Sequence, residues 1–73
     1  MVDLELRDHD EAGTRLGLVR DLPDGIGMGI RIGDQVSLPA GYEGGPGVYR
    51  VLNRWVSISK SLTWVVLGVE EVR

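Results

Sequence analysis

The sequence predicts an all-β fold, a small antiparallel barrel of five to six short strands. Along most of the chain, large apolar residues alternate with polar or small ones, which is the period-two pattern of strands with one buried face. Fourteen residues are valine or isoleucine and none is phenylalanine, a composition that favours strands over helices. Eleven glycines and three prolines supply the turns, and no segment of useful length has a helical period.

The length of 73 residues predicts a single domain that spans residues 1–73. A chain this short buries only about 60% of the surface that it exposes when unfolded. It contains no cysteine, which excludes disulfides, iron–sulfur clusters, thiolate zinc sites and cysteine nucleophiles. We therefore expect self-association to supplement the stability of a small core.

The N-terminal part of the chain predicts two strands. Residues 2–7 alternate between apolar and charged side chains, so we expect a half-buried strand there. Residues 8–14 interrupt the alternation with charge and glycine and are predicted to form a polar loop. A second strand is expected over residues 16–22, ending at the turn sequence Pro-Asp-Gly of residues 23–25.

The middle of the chain predicts two further strands. Residues 26–32 alternate isoleucine and methionine with glycine and arginine, and glycines inside a strand indicate a sharp bend or a close backbone approach. Residues 36–38 continue the alternation until Pro39 ends it. Residues 40–47 are predicted to form a glycine-rich loop.

Residues 48–69 predict a β-hairpin that contains both tryptophans. A turn centred on Ser59 and Lys60 would place Trp55 opposite Trp64, an aromatic pair that stabilises by about 0.5–1 kcal/mol beyond burial. The second strand of this hairpin is apolar on both faces, which is typical of strands buried on both sides. Since one small core cannot cover both faces, we expect the excess face to meet another subunit or a partner.

The charge of the chain is unevenly distributed. Residues 1–43 contain nine carboxylates and four arginines, whereas residues 44–69 contain Arg50, Arg54 and Lys60 and no carboxylate. Cations interleaved with aromatic residues suit single-stranded nucleic acid, whose bases stack on rings. Against that alternative stand the small number of cations and an isoelectric point of about 4.9. An uneven distribution of charge is most often a property of a solvated surface.

One stretch carries a family resemblance. The run GDQVSLP, a glycine-rich loop and the run GVYRVLNRW together cover residues 33–55. They resemble the Gly-Asp-x-Val-x-Leu strand entry of SH3-like small barrels, which implies a fold and no activity. The plasmid-type dihydrofolate reductases are similar in length and barrel class, so a small oligomeric enzyme with a site shared between subunits is a further alternative.

Two segments contain residues suited to a chemical site. Residues 8–11 read Asp-His-Asp-Glu, and their oxygen ligands suit a weakly bound divalent cation, but such a run is most often a solvated loop. His9 is the side chain that titrates nearest neutrality, yet no motif ties a nucleophile to it. Residues 25–29 imitate a phosphate-binding glycine loop without the helix that this mechanism requires. The sequence therefore predicts no catalytic residue, metal or cofactor.

The interpretation that these observations favour is a non-catalytic binding or assembly module. We expect it to self-associate and to contact a protein partner, with nucleic acid as the alternative partner and no membrane. No apolar run approaches the roughly 20 residues of a membrane span, and the charged N-terminal residues lack a signal core, so a cytoplasmic protein is expected. The predicted contact residues are Tyr42, Arg50, Arg54, Trp55, Lys60 and Trp64.

Overall fold

The computed structural model describes residues 1–11 and 13–73, and these form one curled sheet with a single short helical turn. The strands are β1 (Val2–Asp8), β2 (Arg15–Leu22), β3 (Gln35–Leu38), β4 (Gly47–Ile58) and β5 (Thr63–Glu71), and the helix is α1 (Asp24–Gly27). The predicted all-β fold is confirmed, with five strands in the described part of the chain. Ala12, within the predicted polar loop, lies outside the described residues.

The strands are arranged in the order β2-β1-β5-β4-β3. All neighbours are antiparallel except β1 and β5, which run parallel with Leu4 opposite Val65 and Leu6 opposite Leu67. The prediction of a wholly antiparallel barrel is thus wrong at this pair. The reason is the apolar character of β5 on both faces, which suits a central strand with a neighbour on each side.

The core lies on the inner face of the sheet, and the two terminal strands of the sheet order both contribute to it. Val19 of β2 and Leu38 of β3 belong to the same cluster as the central strands, so the sheet curls into a half-barrel. An isolated bridge between Leu18 and Glu43 links β2 to the loop that follows β3. The buried cluster comprises Leu4, Leu6, Val19, Leu38, Tyr49, Val51, Val65, Leu67 and Val69.

The strand predicted over residues 26–32 is absent, and this prediction is wrong. The segment forms α1 and two turns, with the Met28 N–H donating to the Asp24 carbonyl at 2.8 Å. Gly27 is buried, and a Cβ at this position would overlap Cγ2 of Val2. The glycines thus allow a tight turn against β1.

No helix in the described residues is long and apolar enough to cross a membrane.

The predicted hairpin is confirmed, but its register differs. The Ser59 N–H donates to the Leu62 carbonyl at 2.9 Å, so the turn is centred one residue later than predicted. Trp55 lies opposite Val66 and Trp64 lies opposite Ser57, and the two rings are diagonal neighbours on one face. A bulge between Val51 and Asn53 also interrupts the pairing, with Val51 opposite Val69 and Asn53 opposite Gly68.

Gly27→Ala tests the close approach of α1 to β1. Because the added methyl group meets Val2, we expect the free energy of unfolding to fall by about 1–3 kcal/mol. Urea denaturation measures the change. Gly25→Ala is the matched control, because no atom lies within 4 Å of a Cβ there, and we expect it to stabilise by up to about 1 kcal/mol. Equal effects of the two substitutions would contradict the packing described for Gly27.

Candidate protein-contact surface

The outer face of the sheet, turned away from the core, carries both tryptophans. Trp55 is 43% exposed, and its ring crosses the neighbouring strand, with Cζ3 3.6 Å from the position of a Cβ on Gly68. Trp64 is half-buried, and Leu62, just before β5, is 40% exposed. We call this surface the tryptophan face and define it by Leu18, Trp55, Leu62, Trp64 and Val66.

Part of the apolar excess predicted for β5 is already covered within the chain. Val66, at the centre of the tryptophan face, is only 5% exposed. Its neighbours in the register are Glu5 of β1 and Trp55 of β4. Within the tryptophan face, the exposed apolar surface is therefore confined to the tryptophan rings and the leucines, and it does not extend over the whole outer side of β5.

A buried carboxylate lies beside the tryptophan face. Glu5 is 5% exposed and forms an ion pair with the Nε of Arg7, which offsets the desolvation of its charge. It lines a depression of about 360 Å³ between β2 and the start of β5. This depression mixes apolar, cationic and acidic side chains: Asp3, Glu5, Arg15, Leu18, Arg20, Leu62 and Trp64.

Arg54, a predicted contact residue, lies on the opposite face from Trp55. It pairs with Leu67, whose side chain is in the core, and its Nη2 donates to the Met28 carbonyl at 3.1 Å. Among the described residues the buried Nε of Arg54 has no hydrogen-bond partner. Arg54 thus holds the turn that follows α1 against β4.

The other predicted contact residues lie apart from one another. Arg50 is near the Glu70 carboxylate, with Nη1 3.6 Å from Oε1, and Lys60 is exposed in the turn between β4 and β5. Tyr42 belongs to the loop after β3 and is 50% exposed. The structure therefore brings the two tryptophans together but does not gather the predicted cations around them.

Tyr42 lines an apolar cleft of about 260 Å³ at the open side of the half-barrel, where the free edges of β2 and β3 face each other. The loop that forms one wall is held by Tyr49, whose hydroxyl donates to the Gly44 carbonyl at 2.7 Å. The cleft lining comprises Leu4, Val19, Leu22, Ile26, Ile30, Val36, Ser37, Leu38, Pro39 and Tyr42.

Asp8, His9 and Asp10 lie close enough together to offer one ligand atom each within 4.8 Å. The imidazole of His9 already has a protein neighbour at each nitrogen. Nδ1 is 3.3 Å from the Val69 carbonyl oxygen and Nε2 is 3.1 Å from Oδ1 of Asp10. These contacts fit the interpretation of a solvated loop that is fastened to the end of β5.

Three outer-face residues were missed as surface neighbours of Trp64, namely Glu5, Leu18 and Arg20. The alternation of β1 does place Glu5 on the face opposite to Leu4 and Leu6. However, the parallel pairing that sets β1 beside β5 joins the two ends of the chain, and no local pattern indicates it. The face of the sheet on which each side chain lies was therefore predictable, but its neighbours on the adjacent strands were not.

No protein-family model matches the chain, and neither the curated proteins nor the solved structures contain a match. The resemblance to SH3-like barrels therefore stays a prediction. Function has to be inferred from the geometry of the surfaces.

Tyr49→Phe tests the bond that holds the loop of the cleft. Burial, together with the Glu71 carboxylate, raises the pKa of Tyr49 above its ordinary value of 10.0. The folded state thus favours the neutral phenol, and this stabilisation is complete below pH 10 and is lost as the pH rises through the folded pKa. We expect the free energy of unfolding of Tyr49→Phe to fall less steeply above pH 10 than that of the wild type.

Chemical denaturation across that pH range measures the difference. Tyr42→Phe, at an exposed tyrosine, is the control and should keep the wild-type slope. An identical slope for Tyr49→Phe and the wild type would show that ionisation of the Tyr49 hydroxyl does not contribute to the loss of stability above pH 10.

Arg54→Met tests whether this arginine is structural. Removing the bond to the Met28 carbonyl should lower the free energy of unfolding by about 1 kcal/mol. Arg50→Met makes the same change at an exposed ion pair and should shift it by less than about 0.5 kcal/mol. Thermal and urea unfolding of the two variants provide the comparison, and the reverse order would contradict the placement of Arg54.

Proposed function

We propose that this protein is a non-catalytic assembly module that binds a second copy of itself and, through its outer face, a protein partner. The observation that carries the proposal is the exposure of Trp55 and Leu62 beside the half-buried Trp64. Tryptophan is enriched among the residues that dominate protein–protein interfaces. Binding to the folded state adds to the stability of a chain of this length, whose own core is small.

The chemistry of the neighbouring depression supports a protein partner. Arg20 and Arg15 lie there together with the carboxylates of Asp3 and Glu5, and Arg15 is already bound to Glu43 through Nε at 2.7 Å. Charges of both signs around an aromatic centre suit a polypeptide surface, which also carries both.

The nucleic-acid alternative has less support, because two of the three cations that motivated it, Arg50 and Arg54, have other partners. Arg54 donates to the Met28 carbonyl on the inner side of β4, and Arg50 lies beside Glu70. Phosphate binding depends on cations that are available to the backbone of the nucleic acid. The alternative of an enzyme with a shared site rests on length and barrel class, and no arrangement in the described residues favours it.

Sedimentation velocity over a wide range of protein concentration tests the proposal. We expect a reversible oligomer whose dissociation constant rises by more than about tenfold in Trp55→Glu, since a charge replaces an interface anchor. Ile32→Glu is the matched control, because Ile32 is 65% exposed in the turn before β3 and is outside the tryptophan face. A wild type that is monomeric at every concentration would refute self-association.

A further inference from the structure

The outer edge of β4 has no strand beside it over residues 53–58. On the side away from β5, β4 pairs with β3 only from Gly47 to Arg50. The last hydrogen bonds on that side join Val51 to Gly33 and to Asp34, at 2.8 and 2.9 Å. Beyond Val51, no strand of residues 1–11 or 13–73 pairs with this edge.

The hydrogen bonding of the hairpin shows which backbone groups point outward along this edge. Because the Ser59 N–H donates to the Leu62 carbonyl, residues 59 and 62 form a hydrogen-bonded pair. Pairs of this kind alternate along antiparallel strands. The N–H and C=O groups of Arg54, Val56 and Ile58 therefore point away from β5, into the unoccupied side.

This edge is only partly protected, by the bulge at its start between Val51 and Asn53 and by the inward-pointing Arg54. The free edge of β2 carries Arg20 and Asp21 and is partly occupied by the bond from the Leu18 N–H to the Glu43 carbonyl, at 3.3 Å. β3 is only four residues long and is followed by Pro39. Residues 53–58, by contrast, read NRWVSI, without proline, glycine or lysine. Natural proteins rarely leave such an edge open unless it pairs.

We infer that two copies of the protein pair antiparallel along this β4 edge, about a two-fold axis at Val56. In that register Val56 lies opposite Val56 of the second copy, and Arg54 lies opposite Ile58 of the second copy. Each outward backbone group then has a partner. This inference deepens the proposed function, since it rests on self-association and names the interface.

A second copy fits this edge better than an unrelated strand for two reasons. The pairing is self-complementary, as a two-fold interface requires, and it sets no like charges against each other. The one charged side chain of residues 53–58 is Arg54, whose guanidinium is bound to the Met28 carbonyl. Pairing also continues the tryptophan face across the two copies, because Trp55 lies on the same strand as the edge. Ile58, 77% exposed, gains a neighbour.

Cysteine cross-linking tests the register, and the absence of natural cysteine makes each introduced thiol unique. In the inferred pairing, residue 53 of one copy lies opposite residue 59 of the other, with Cβ atoms about 4.5–5.5 Å apart, and both residues are exposed. A mixture of Asn53→Cys and Ser59→Cys chains, one of them carrying an affinity tag, should form a disulfide-linked mixed dimer on mild oxidation.

The same geometry predicts that neither variant cross-links with itself. Identical positions are offset by six residues in this register, about 20 Å along the strand, which exceeds the roughly 7 Å limit between Cα atoms of a disulfide. A mixture of Asn53→Cys with Ser37→Cys, an exposed position on β3, is the control and should give no dimer. Self-linked products in place of the mixed dimer would overturn the register.

A second pair of variants separates the backbone from the side chain. Ile58→Pro removes the outward N–H of the backbone. Ile58→Thr keeps this N–H and shortens the side chain. We expect Ile58→Pro to weaken the dimer about tenfold more than Ile58→Thr does. Equal effects of the two substitutions, or no mixed disulfide between the cysteine variants although the wild type self-associates, would overturn edge pairing and leave the proposed function intact. A wild type that stays monomeric would overturn both.

Discussion

The parallel pairing of β1 with β5 is the interaction on which the rest of the structure depends. It joins the two ends of the chain at the centre of the sheet and brings Leu4 and Leu6 beside Val65 and Leu67, all of which are at most 2% exposed. Once β5 is central, β4 must lie on its other side, and β2 and β3 become the ends of the sheet. The core, the open side and the free edge of β4 all follow from this arrangement.

The same pairing gives the outer face its mixed character. It places Asp3 opposite Trp64 and Glu5 opposite Val66, so a charged strand lies against an apolar one. Burying Glu5 is tolerable because Arg7 is beside it, since an unpaired buried charge would destabilise the fold. The outer face is therefore apolar in one strand and charged in the next. Its tryptophans are of the type enriched at protein interfaces, which supports the proposed contact with a protein.

Local patterns in the sequence predicted most strands and missed what depends on distant contacts. The alternation of apolar and polar residues was sufficient to predict β1, β2, β3 and the hairpin, because one face of each is buried against the same core. The segment from Ile26 to Ile32 misled the prediction, since alternation with glycine also suits a turn packed on Val2. Similarly, the sequence located Arg54 and Trp55 on one strand, but it did not indicate that Arg54 would bind a carbonyl on the inner side. The two tryptophans of the candidate surface could therefore be chosen from the sequence, whereas the cations beside them could not.

The open edge of β4 and the small size of the core are two independent observations that both support the proposed pairing between copies. A closed barrel removes its edges, whereas a half-barrel leaves them available for pairing. Here two of the edges face each other across the apolar cleft, and the bridge from Leu18 to Glu43 partly joins them. The β4 edge has no such partner within the described chain, although it belongs to the longest strand. The proposed pairing between copies would supply partners for the outward groups of Arg54, Val56 and Ile58, and it would extend a core that a chain of this length limits. The inferred assembly would thus address both the unpaired edge and the limited burial.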